Sequence, residues 1–220
     1  HLAICTGDIK GQIDFFTDKL GMELQSMYWM HGVPDTWHAF LRLNDESSIA
    51  FVSNPQIKQI PTELGHTHSG NPGANSAAGT MQHVALKVDT YDELLDMRDR
   101  LRTKGVPVLG PMDHGMCFSI YFAGLENLSL ELAFSAEALD QDMWIDTEVT
   151  ELAGISPEEL EKYKKPEEFK GQKGAVPQPE LDDTKGPHMT NYPPGVYEKS
   201  MQLPDDFVLN MVESTPPGKS

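Results

Sequence analysis

Two stretches of this chain share one alternation of apolar and polar residues, and each opens on a histidine. They are His1-Leu2-Ala3-Ile4-Cys5 and, 82 positions later, His83-Val84-Ala85-Leu86-Lys87. Successive side chains of a strand point to opposite faces, so this alternation predicts two strands with His1, Ala3 and Cys5, and likewise His83 and Ala85, on one face. An amphipathic helical pattern closed by glycine follows each, over 9–21 and 91–105. Further strands are predicted over 22–30, 36–43 and 48–52 in the first copy, and over 106–109, 118–122 and 128–133 in the second. Each copy therefore reads βαβββ, and the offset suits two fused half-domains better than a solenoid.

The expected class is α+β, with paired βαβββ modules at 1–53 and 81–134 forming a curved mixed sheet around a metal site. Between them, 54–80 is a polar stretch rich in Gly, Pro, Asn, Ser and Thr, expected to be a linker or lid loop. Residues 135–220 are expected to form a Pro-rich extension, holding ten of the 16 prolines. Ser156-Pro157-Glu158-Glu159 starts a short helix there, with Ser as N-cap and acids in the first turn. The remainder is expected to be extended, covering the surface or a partner subunit.

Composition narrows the partners. The net charge of −17 argues against nucleic acid and anionic membranes. No apolar run is long enough to span a bilayer, and no signal peptide is visible. Cys5 and Cys117 are the two cysteines and form no CxxC pair, which fits a reduced, cytoplasmic protein.

Candidate chemistry follows from the faces. Ser129, Glu131 and Ala133 alternate with Leu128, Leu130 and Leu132, so Glu131 points away from the leucines, as the histidines do from their apolar neighbours. His1, His83 and Glu131 on one concavity would make the two-imidazole, one-carboxylate set that suits non-haem Fe(II). Mn(II), Zn(II) and Ni(II) are the other candidates. His66 and His68 form an HxH in the Gly/Ser-rich loop and read as solvated, or as a lid histidine. Trp29, Trp37, Met22, Met27 and Met30 read as core or as an apolar pocket wall.

Residues 1–135 resemble the vicinal oxygen chelate superfamily, which includes glyoxalase I, methylmalonyl-CoA epimerase, type I extradiol dioxygenases, and fosfomycin and bleomycin resistance proteins. The resemblance rests on the stretch from His1 to Asp8, on FFTDKLGMEL from Phe15, on QHVALKVD from Gln82, and on DHGMCFSIYFAGLENLSLELAF from Asp113. Members usually carry DPDGN before the metal-binding glutamate, where this chain has Ala123-Gly124-Leu125-Glu126-Asn127. The isomerase branches use a fourth ligand from the first half's last strand, and here that place is Ala50. Three ligands leave room for water, a bidentate substrate and O₂, which implies a ring-cleaving dioxygenase acting on a catecholic or similar vicinal-oxygen substrate, expected to be aromatic. Extradiol enzymes place a tyrosine like Tyr121 against a substrate hydroxyl and a histidine like His114 in the preceding loop as a proton carrier. Those of the biphenyl-diol type also carry a catalytic histidine before the first half's last strand. Here that place is Glu46-Ser47-Ser48, so either His38 from the neighbouring strand takes the role or the reaction differs. The alternatives are a glyoxalase- or epimerase-like lyase or isomerase, and a binding protein without turnover. A homodimer is left open.

Overall fold

A computed structural model describes residues 1–171, 174–182 and 187–219; residues 172–173, 183–186 and 220 of the extension lie outside it. The described residues divide into two compact units, one of residues 1–139 with 216–219 and one within 140–215.

The first unit repeats one module. In the first copy, β1 (Leu2–Cys5) leads to α1 (Ile9–Asp18), then β2 (Leu24–Trp29), β3 (Trp37–Arg42) and β4 (Ser48–Ser53). In the second, β5 (Val84–Lys87) leads to α2 (Tyr91–Thr103), then β6 (Leu109–Asp113), β7 (Phe118–Ala123) and β8 (Ser129–Phe134). The helices start where the chain supplies caps. Asp8 accepts from Gly11 N at 3.0 Å, and Thr90 with Glu93 forms a reciprocal capping box. Both stop at left-handed glycines, Gly21 at φ 78 and Gly105 at φ 79.

Each module is its own four-stranded mixed sheet, ordered β1-β4-β3-β2 and β5-β8-β7-β6. The first strand lies parallel to the fourth, and the remaining pairs are antiparallel. The helix-side face of each sheet is apolar. Leu41, Ile49 and Phe51 pack with Phe16 of α1, and Val84, Leu86, Ile120 and Leu130 with Leu94 and Leu101 of α2, in one continuous core. The opposite faces, which carry His1 and His83, are turned away from that core.

Glu126 ties the modules together. Leu125–Leu128 is a tight turn closed by Leu128 N donating to Leu125 O at 3.1 Å, with Glu126 and Asn127 both left-handed at φ 54 and 62. Two positive φ values mark the hairpin turn that suits twisted strands, and Asn tolerates the conformation well. Glutamate does not, and its side chain shows what holds it. Glu126 accepts from Thr6 Oγ1 at 2.6 Å, Gly7 N at 2.8 Å and Gln12 Nε2 at 3.0 Å, all in the first module.

Two sequence expectations shift. Strand β6 begins at Leu109, and Val106 instead closes α2 by donating its N–H to Leu101 O at 2.9 Å. Pro111 sits within β6, which an outer strand tolerates because one of its edges needs no N–H. The strand bulges between Leu109 and Met112, where a Cβ on Gly110 would lie 2.6 Å from Ser119 O. The expected lid stretch contains one 3₁₀ turn, Ile57–Gln59, and a bridge between Leu64 and His68.

The second unit is more helical than its prolines suggest, with α3 (Gln141–Trp144), α4 (Thr147–Leu152), α5 (Pro157–Lys164), α6 (Val196–Met201) and α7 (Asp205–Leu209). The predicted helix is α5, capped by Ser156 and Glu159. No described residue of this unit is buried.

Candidate metal centre

Strand register decides which side chains share the open faces. In the second module Ala85, Glu131 and Tyr121 lie side by side across β5, β8 and β7. In the first, the matching row is Ala3, Ala50 and Phe40 across β1, β4 and β3. The repeat thus sets a methyl group opposite the carboxylate and a phenyl ring opposite the phenol.

His83 and Glu131 meet. Nε2 of His83 lies 2.9 Å from Oε2 of Glu131, whose side chain is only 7% exposed. The other ring nitrogen, Nδ1, faces the side-chain oxygen of Gln82. Next to Glu131, the Tyr121 hydroxyl is 3.0 Å from His114 Nε2. Burial raises the Tyr121 pKa above its ordinary value near 10, opposed by a contact with Ser119 and reinforced by the Glu131 carboxylate.

His1 does not join this group. Its ring is exposed and packs edge-on against Phe40, at 4.9 Å between centroids, and His38, at 5.8 Å. Among the described residues no three His, Cys, Asp or Glu side chains gather closely enough to hold an ion. His38 continues the aromatic row, 4.4 Å from Phe40, and Tyr28 stacks on Phe40 at 6.2 Å. His38 is buried, its Nε2 has no hydrogen-bond partner, and burial lowers its pKa. Of the loop pair, His68 bonds Thr67 at 2.9 Å and lines, with Cys5 and Lys58, a cavity of about 480 Å³ to which neither His83 nor Glu131 contributes.

A family model for the Glyoxalase/Bleomycin resistance protein/Dioxygenase superfamily matches residues 1–143. The chain belongs to this superfamily. A biphenyl-2,3-diol 1,2-dioxygenase of Rhodococcus globerulus is 39% identical to it over 62 residues, 28% of this chain and 30% of that protein. The chain thus matches less than a third of that relative's length. A glyoxylase/bleomycin resistance protein/dioxygenase domain from Frankia sp. EAN1pec aligns at 14% identity over 61% of this chain and 94% of its own, with a TM-score of 0.47. A fosfomycin resistance protein from Listeria monocytogenes aligns at 17% identity over 62% and 91%, with a TM-score of 0.41. No helix among the described residues of this superfamily member is long and apolar enough to cross a membrane.

Sequence reasoning missed Gln82 and Glu126. The first stands directly before a candidate ligand, and the second is the departure from the family's usual turn; those were the available signals.

Proposed function

We propose that this chain is a metal-dependent enzyme in which His1, His83 and Glu131 hold one divalent ion, Fe(II) first among the candidates, and which cleaves the ring of a catechol-like substrate with O₂. The observation that carries the reading is the His83–Glu131 pair at 2.9 Å, with a buried carboxylate, beside the Tyr121–His114 pair. The donor set fits an ion. The Gln82 oxygen faces Nδ1 of His83, which puts the ring proton there and leaves Nε2 a lone pair. A lone pair facing a carboxylate oxygen at that distance calls for a cation or a proton between them.

His1 completes the set from a second copy of the chain. Its exposed ring lies on an open face turned away from the shared core, as do His83 and Glu131 on theirs. A homodimer that brings the first module of one copy against the second module of the other would join the two half-sites.

When bound, the ion supplies Lewis acidity toward two vicinal oxygens and the electrons that activate O₂. The chain's own groups do the rest. Tyr121 donates its hydroxyl proton in a hydrogen bond to a substrate oxygen, and its raised pKa keeps it protonated. His114 Nε2, in contact with that hydroxyl, accepts or returns a proton. His38, its pKa lowered by burial, would meet a polar substrate atom with its unpartnered Nε2 once the side chains over it move aside. Phe40 and Tyr28 present an aromatic wall to a flat ring. Ala50 at the fourth-ligand place weighs against the isomerase branches, and the biphenyl-diol dioxygenase similarity favours ring cleavage.

Anaerobic purification, metal analysis and oxygen uptake with a catechol panel test the reading. One ion per site, lost in Glu131→Ala, with catechol-dependent uptake supports it. An iron-loaded protein without uptake points to a lyase or isomerase, and a protein that binds catechols without any metal points to a binding role. Mixing Glu131→Ala with His1→Ala protein should restore about a quarter of wild-type activity if each site draws on two copies; no recovery after subunit exchange would refute the dimeric site.

A further inference from the structure

Gln82 is held on three sides. Its amide nitrogen donates to Pro72 O at 2.6 Å and to Ala74 O at 3.2 Å. Its main-chain carbonyl accepts from the hydroxyl of the buried Ser69. The segment 69–74 is therefore wrapped around this one residue. An amide has one donor end and one acceptor end. With the nitrogen committed to two carbonyl oxygens, the oxygen is the end that meets Nδ1 of His83. A carbonyl-type oxygen at Nδ1 selects the tautomer with the proton there, and so frees Nε2 on the side of Glu131.

We propose that Gln82 is a positioning residue for His83, fixing its tautomer and ring orientation, and that it makes the 69–74 loop part of the metal centre's support. This rests on the metal reading above. Partners behind a metal-binding histidine raise its basicity and lock its ring, and their loss costs about 10–100-fold in metal affinity. The loop is thus not a free lid. Its backbone carbonyls orient an amide, which orients an imidazole.

Two substitutions separate the ring effect from the loop effect. Gln82→Met removes the acceptor at Nδ1 and the donor to the loop. Gln82→Glu keeps an acceptor at Nδ1 but loses the donor. In long-range ¹⁵N–¹H NMR of the metal-free Glu131→Ala protein, where no carboxylate draws a proton onto Nε2, His83 should show its proton on Nδ1 at about pH 8. The Glu131→Ala/Gln82→Met double variant should show a mixture. Titrated with Co(II) alone, Gln82→Met should bind about 10–100-fold more weakly, and Gln82→Glu at least as tightly as wild type. Limited proteolysis within 63–80 should speed up in both. Equal loss of affinity in both variants would assign the effect to the loop and overturn the proposal, as would an Nε2–H tautomer in Glu131→Ala. The expected tautomer in Glu131→Ala, with a wild type that binds no Co(II), would leave the positioning role intact and remove the metal reading itself.

Discussion

Glu126→Ala should destabilise the first unit by about 2–3 kcal/mol, because it strands donors of one module that the other module satisfies. Three donors lose their acceptor: Thr6 Oγ1, Gly7 N and Gln12 Nε2. Thr6 is 1% exposed and Gln12 is 0% exposed, so neither side chain finds water without a structural shift. A buried donor left unpaired costs about 1–3 kcal/mol. Gly7 N is at the surface and turns to solvent at small cost. Glu126 itself is largely exposed, so each buried donor is set near the lower end of that range, about 1–1.5 kcal/mol. The summed loss corresponds to a melting point lower by roughly 5–10 °C for a unit of this size. Glu126→Gln keeps one acceptor oxygen and should lose about 1 kcal/mol. The assay is urea unfolding followed by tryptophan fluorescence in a Trp144→Phe background, so that Trp29 and Trp37 of the first module give the signal. A double-mutant cycle with Thr6→Val isolates the direct contact and should give a coupling of about 1 kcal/mol. A loss below about 0.5 kcal/mol for Glu126→Ala, or strict additivity in the cycle, would show that the modules do not depend on this carboxylate.

Tyr121→Phe should keep the ion bound and lower turnover by roughly 10- to 150-fold, the value of one charge-assisted hydrogen bond in a dry site; an unchanged rate in steady-state oxygen uptake would make Tyr121 a packing residue. Asp18 joins the ends of the helices through Lys104 and Lys19, and hydrogen bonds from them hold its carboxyl at about 2. A depressed carboxylate pKa stabilises the fold above its ordinary value of 3.8 and ceases to do so as the pH falls towards 2. Asp18→Asn should therefore melt lower than wild type at pH 5 and converge with it near pH 2, as read by thermal scans across that range.

Much of the first unit was legible because strand alternation is local information. The face shared by His83 and Glu131 follows from period two, and the two side chains meet; Tyr121, named from the resemblance, joins that face through the register of β7 on β8. The same arithmetic placed His1 on the first module's open face. Alternation assigns a side chain to a face but says nothing of which faces meet, and His1 stands apart from its expected partners. Gln82 and Glu126 act through backbone carbonyls, a glycine N–H and distant side chains, which leave no periodic trace. The displaced start of β6 reflects a competition that propensity cannot judge: Val106 closes the helix before it can begin a strand. In the extension, α3, α4, α6 and α7 are at most six residues long, too short for a hydrophobic stripe to announce them.

The absence of any buried described residue between 140 and 215 bears on how this protein comes apart. Cooperative melting arises when many side chains lose a shared interior at once. The first unit has such an interior and should give a calorimetric peak. The second should lose its helices one by one, as a slope rather than a transition, with amides exchanging at rates set by each short helix alone. Ellipticity at 222 nm would blend the two and flatten the apparent transition, whereas the tryptophans of β2 and β3 would follow the cooperative part.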